Sequence, residues 1–355
     1  MAFKTLRFQA GPGATKVLTR DGFDFDRFQV MAGASGGPKW LALSRLDKFI
    51  AGELLPRRKT PLFLLGSSIG AWRFSCYTKP DPVAAIQEFE DAYVAQRYGK
   101  KPTAEEVTAE TRRFFKLIAG EGGVAQMLSN PRVRLNVMAV RCRGAAAYEQ
   151  PWLQGLGMMA AATGNLFSRR ALALSYERAL FFDSRDEPPF MNLTGLPMHR
   201  IALSERNLED AVVASGSIPL VLEGVRDIHG APRGMYRDGG VTDYHFNDSL
   251  SSDDGLVFYP HFYPYMVPGW FDKSLSWRRA HGAATDKVLL VSPSQEFVAS
   301  LPYGKIPDRK DFANLDNEQR ISYWNTVVAE SERMADEFRE LLAGGDLAGR
   351  LEPLG

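Results

Sequence analysis

The 355 residues, 45% hydrophobic and 24% charged, have the composition of a globular chain with a sizeable core, which excludes disorder over most of its length. With 43 Lys and Arg against 42 Asp and Glu, the formal charge is +1, so no global field draws the chain to nucleic acid or to an anionic membrane; any lipid contact must be local. Cys76 and Cys142, far apart and outside any Cys-x-x-Cys spacing, exclude a disulfide framework and a thiolate zinc site.

The opening Met-Ala-Phe-Lys-Thr-Leu-Arg lacks the apolar centre of a signal peptide, and no later stretch approaches the ~18 apolar residues needed to span a bilayer. A cytoplasmic location is expected. In chain order, Phe28–Ala32 reads as a strand ending in a Gly-rich turn, followed by helical spacing from Leu41 to Leu55. Pro61–Leu65 is a compact apolar strand that stops at Gly66, and Ala71–Tyr77 opens a helix. Residues 82–119 read as helical, interrupted near Gly99–Pro102. The run Gly157–Thr163 reads as helix packing. Arg134–Val140, Ala179–Phe182 and His199–Leu203 read as strands, the last before a helix capped near Asn207. After Asp254 the texture turns aromatic and Pro-rich, with a strand at Lys287–Val291 and a long helix over Leu315–Leu342. Strands alternating with helices predict an α/β fold with a mostly parallel sheet covered on both faces.

Gly66-Ser67-Ser68-Ile69-Gly70 fits Gly-x-Ser-x-Gly between a strand and a helix, the context of a nucleophile elbow. Small flanking residues allow the tight turn, and the following helix N-terminus favours developing negative charge. Gly33-Ala34-Ser35-Gly36-Gly37 fits the same pattern and also follows a strand. Its consecutive glycines before Pro38-Lys39 suit backbone N–H groups that stabilise an oxyanion, which assigns that role to Gly36 and Gly37. The turn is no phosphate loop, because Pro38 precedes the lysine and Trp40 follows it. Neither it nor Gly11-Pro12-Gly13 completes a dinucleotide fingerprint, so no cofactor is expected.

A serine hydroxyl needs a base, and Tyr236-Arg237-Asp238-Gly239-Gly240 supplies a carboxylate; by itself an Asp-Gly-Gly is more often a hairpin turn. Between the two lies Ala214-Ser215-Gly216-Ser217-Ile218-Pro219. In these four ordered blocks, spanning about Phe28 to His245, the chain resembles the patatin-like phospholipase family: Gly-Gly-x-Arg/Lys, Gly-x-Ser-x-Gly, Ala-Ser-x-x-x-Pro and Asp-Gly-Gly/Ala. The resemblance implies a three-layer α/β/α patatin-like fold, with a catalytic core over 28–255 and a C-terminal helical extension over 256–355. It further implies Ser68 as nucleophile, Asp238 as general base of a Ser–Asp dyad, Gly36 and Gly37 as oxyanion donors, and Lys39 at the family's basic position. Gly66, Gly70, Gly239 and Gly240 support the motifs. The Gly-rich loop departs from the family form at Ser35 and Trp40, where glycines would stand. The implied activity is hydrolysis of a lipid or other acyl ester, with a transient membrane contact.

Two alternatives stand beside it. His245 is the best placed of the five histidines for a Ser–His–Asp triad, and a hydrolase fold can serve as a catalytically silent lipid-binding module. No histidine spacing supports a metal. The aromatic run Leu256–Phe271, followed by Lys273, Arg278 and Arg279, reads as an acyl-binding wall, an interfacial membrane contact or a cover for the core.

Overall fold

The computed structural model describes residues 4–99, 102–252 and 255–355. Among these, eleven strands form one sheet: β1 (Leu6–Ala10), β2 (Phe28–Gly33), β3 (Leu62–Ser67), β4 (Val133–Cys142), β5 (Tyr176–Phe182), β6 (Met198–Ala202), β7 (Val225–Arg226), β8 (Met235–Asp238), β9 (Leu256–Pro260), β10 (Val288–Pro293) and β11 (Leu351–Pro353). The order is β11-β1-β10-β9-β2-β3-β4-β5-β6, and β8 pairs with both β4 and β7. From β10 to β4 every pairing is parallel. Each residue of β3, β9 and β10 is buried, as expected of central strands covered on both faces. Helices Ile69–Tyr77 and Leu208–Gly216 lie against β3 and β4, with Pro82–Val94 and Ala104–Ala119 packed beyond them. Pro12–Asp21 packs on β1 and β10. The architecture is thus the expected α/β class, with helices layered on a mostly parallel sheet and further helices at the C-terminal end.

Several elements differ from the sequence reading for identifiable reasons. Leu256–Pro260, at the start of the aromatic run, is a central strand between β2 and β10, where burial on both faces removes the alternation by which strands are read. The boundary at residue 255 therefore does not fall at an edge of the sheet: the following segment supplies two interior strands as well as helices. The single helix over Leu315–Leu342 is two, Asn317–Glu330 and Glu332–Gly344. At their junction the Ser331 hydroxyl donates back to the Val328 carbonyl at 2.7 Å, a bond that bends helices. The stretch Leu41–Leu55 passes through 3-10, α and π turns rather than one regular helix. Of the interruption at Gly99–Pro102, residues 100 and 101 lie outside the described residues, as does Asp254; beyond the gap, Thr103 and Glu106 form a capping box that starts the next helix.

Candidate active site

The register of β4 brings the two ends of the site together. On one edge β4 pairs with β5 from Asn136 to Cys142. On the other it pairs first with β3, in parallel, up to Ser67 opposite Met138, and then with β8, antiparallel, beginning with Asp238 opposite Ala139. Two strands thus run towards each other along one edge and stop at adjacent residues. Ser68 and Asp238, 170 positions apart, meet there: Ser68 Oγ donates to Asp238 Oδ2 at 2.7 Å, and the Gly240 N–H donates to Oδ1 at 2.7 Å. The Asp-Gly-Gly segment is a strand end running into a 3-10 turn, not a hairpin.

Ser68 holds φ 53° and ψ −126°, a conformation that costs a side-chain-bearing residue about 1–3 kcal/mol. The surroundings enforce it. A Cβ at Gly66 would strike the Ala71 backbone, and one at Gly70 would overlap the Gly33 carbonyl, so the elbow tolerates glycine only on both sides of the serine. The Ser68 N–H donates to Ser215 Oγ at 2.9 Å, and that hydroxyl donates to the Met138 carbonyl at 2.6 Å. On the helix that the elbow opens, Arg73 forks onto buried Asp47 with two bonds of 2.7 Å.

The Gly33–Gly37 turn lies beside the elbow, because β2 and β3 pair through Gly33 and Gly66. Ser35 is buried, its hydroxyl donating to Ser67 Oγ at 3.0 Å and its N–H to the Tyr244 carbonyl at 2.9 Å. Gly36 sits under the Phe262 ring, where a Cβ would not fit. Gly37 takes φ 56°. Both glycines line one cavity with Ser68 and Asp238, and among the described residues their N–H groups donate to no protein acceptor. Those donors are therefore available to an oxyanion.

That cavity, about 210 Å³, is also lined by Lys39, Lys273 and Arg309. Among the described residues none of the three has a carboxylate ion-pair partner, although Asp308 lies on the same wall. The Lys273 ammonium stands 3.9 Å from the Tyr244 ring centre, and the Arg309 guanidinium 5.6 Å from that of Trp270. Burial lowers the pKa of Lys39. Desolvation, then Arg309 and Lys39, push Lys273 down to about 7; the side chain is exposed at the rim, so water screens part of this repulsion. Burial lifts Asp238 from 3.8 to about 6, against the Ser68 and Gly240 hydrogen bonds that favour its ionised form.

His245 makes no hydrogen bond to Ser68 or Asp238. Its Nδ1 accepts the Val267 N–H at 2.8 Å, its ring packs on His261 at 4.2 Å, and burial holds its pKa well below the ordinary value. Asp243, two residues before His245, is forked onto buried Arg178, fixing the chain that follows Asp238. Of the aromatic run, Phe258, Tyr259 and Phe262 are core, whereas Trp270 faces the dyad cavity.

Sequence reasoning missed the roles of Ser215, Ser217, Lys273 and Arg309. The first two lay inside a quoted block, and only the fold shows that Ser215 anchors the elbow while the Ser217 carbonyl accepts the Asp238 N–H at 3.0 Å. Lys273 lay in the aromatic and basic stretch but with no role assigned at the dyad, and Arg309 comes from a segment with no local pattern. Among the described residues no cluster of three or more His, Cys, Asp or Glu is placed to hold a metal ion, and no helix is long and apolar enough to cross a membrane. Compared with models of known protein families and with curated proteins, the chain matches none.

Proposed function

We propose that this chain is a serine acyl hydrolase of the patatin-like type, cleaving a carboxylic ester through Ser68 and Asp238. The observation that carries the reading is the 2.7 Å bond from a serine at a strained strand-to-helix turn to a buried carboxylate. Ser68 Oγ attacks the ester carbonyl as its proton passes to Asp238 Oδ2, and the Gly36 and Gly37 N–H groups receive the developing oxyanion. Collapse expels the alcohol with the proton from Asp238 and leaves an acyl-enzyme. A water that gives its proton to Asp238 then releases the acid and restores Ser68. A carboxyl near 6 is a better proton acceptor than an ordinary aspartate and is still ionised at neutral pH.

The unpaired cations Lys39, Lys273 and Arg309 around the dyad support an ester that carries an anionic group, as phospholipids and lysophospholipids do. A Ser–His–Asp triad draws no support from His245, whose Nδ1 is engaged by the Val267 backbone. The remaining alternative, a silent lipid-binding module, is separated by chemistry. A fluorophosphonate probe should label the wild type and not Ser68→Ala, with parallel loss of p-nitrophenyl butyrate hydrolysis. Persistent labelling of Ser68→Ala would place the nucleophile elsewhere, and an unlabelled wild type would favour the binding module.

A further inference from the structure

Helix Pro151–Phe167 has its polarity inverted. Its buried face is made of Gln154, Gly157, Ala161 and Asn165, whereas most of its large apolar side chains are exposed, with Leu153 and Met158 partly buried. Trp152 is 66% and Phe167 87% exposed, with Leu156, Met159 and Leu166 exposed between them. A helix on the surface of a globular protein buries its large residues and exposes its polar ones. Here the small residues are used for close approach: a Cβ at Gly157 would strike the Ala146 backbone.

This face is continuous with the mouth of the dyad cavity. Gln154 Oε1 accepts the Leu220 N–H at 2.8 Å, tying the helix to the turn that begins at Ile218, a cavity-lining residue. In that turn Leu220 is held at φ 65°, which disfavours a leucine, and is 52% exposed beside exposed Val221. At the other end Asn165 donates to buried Asp272 at 2.7 Å, and Arg278 bridges the two, joining the helix to the segment that carries Trp270 and Lys273. Two walls of the cavity and the apolar face therefore form one unit.

We infer that the outer face of helix Pro151–Phe167, together with Leu220 and Val221, docks on an anionic lipid surface and presents the dyad cavity to it. The charge pattern selects this occupant over a second copy. The helix carries no Asp, Glu, Lys or Arg; exposed Arg170 follows its C-terminal end, exposed Lys273 follows the Asp272 that Asn165 holds, and Glu149 is neutralised by Arg237 at 2.6 Å, leaving Glu223 beside Val221 as the opposing charge. In a two-fold contact each copy brings these two cations and only Glu223 to pair with them, so positive charge is left buried without a partner, whereas anionic headgroups neutralise both and favour the charged form of Lys273. Aromatic rings near both helix ends suit the headgroup boundary. The inference takes its substrate from the acyl-hydrolase reading, but docking is measured without turnover.

The test is co-sedimentation of the full chain with vesicles of mixed phosphatidylglycerol and phosphatidylcholine, in a Ser68→Ala background so that no lipid is consumed. The protein should pellet with the vesicles, and Trp152→Ser combined with Phe167→Ser should weaken partitioning at least ~10-fold. With Ser68 intact, the same double variant should hydrolyse p-nitrophenyl butyrate at the wild-type rate. Absence of binding, or binding that the double substitution leaves unchanged, overturns the proposal. So does a lipid-free dimer, seen by light scattering, that the double substitution dissolves, since the face would then belong to a second copy. If vesicle binding behaves as expected while intact protein cleaves no ester, the hydrolase reading fails and the docking surface stands.

Discussion

At Gly66–Gly70 and at Gly33–Gly37 the same Gly-x-Ser-x-Gly pattern ends neighbouring parallel strands, paired in register at Gly33 and Gly66. In the first turn the serine takes a strained backbone and a hydrogen bond to a buried carboxylate. In the second the serine is buried and spends its hydroxyl on Ser67, while the following glycines carry the open N–H groups. The difference lies in what each turn faces. β8 ends on the β4 edge directly opposite the end of β3, so only the first serine meets Asp238. A local pattern thus fixes a turn, and a distant strand decides which turn holds the nucleophile.

The largest effect expected from breaking this contrast is on turnover. Asp238→Asn should lower kcat for a soluble ester by ~10²–10⁴-fold, the range ascribed to a positioned base. Ser35→Ala, which removes only a bond to Ser67, should change kcat less than about tenfold and stability by about 1 kcal/mol. Equal losses from the two would remove the distinction between the turns. Ser215→Ala, which frees the elbow N–H, is expected to fall between these limits.

The second effect is on pH. Catalysis needs Asp238 ionised, so kcat/KM should fall about tenfold per pH unit below about 6 and level off above it. Stability runs in the opposite sense. Because the folded-state value lies above the unfolded 3.8, the neutral carboxyl favours folding; this contribution is complete below about 4 and lost as pH rises through about 6, a change of about 3 kcal/mol. Asp238→Asn should therefore raise the urea midpoint near pH ~8 and leave it unchanged near pH ~4. A midpoint that does not move at the higher pH would mean that the carboxyl is not held in a desolvated site.

The smallest effect concerns Lys273. Its cation is lost above about 7, so KM for an anionic ester should rise there while that for a neutral ester stays flat. A parallel rise for both would separate Lys273 from substrate charge.

Much of this was legible in the chain. Continuous apolar runs such as Leu62–Leu65 announce buried strands, and glycines flanking a serine announce a tight turn, because both signals act over a few residues. The strand Leu256–Pro260 was not legible, since covering both faces erases the period from which strands are read. The break at Ser331 depends on one hydroxyl choosing a carbonyl within its own helix.

By itself, then, the sequence determined the α/β class, the two glycine turns and the candidacy of Ser68 and Asp238, all of which rest on neighbours in the chain. Tertiary structure alone decided that β3 and β8 stop at adjacent positions on β4, that burial lifts Asp238 to about 6, that Ser215 anchors the elbow, and that Lys273 and Arg309 converge on the dyad. The physical reason is range. Backbone preference acts between adjacent residues, whereas register, desolvation and charge clustering arise only when segments distant in the chain are packed together.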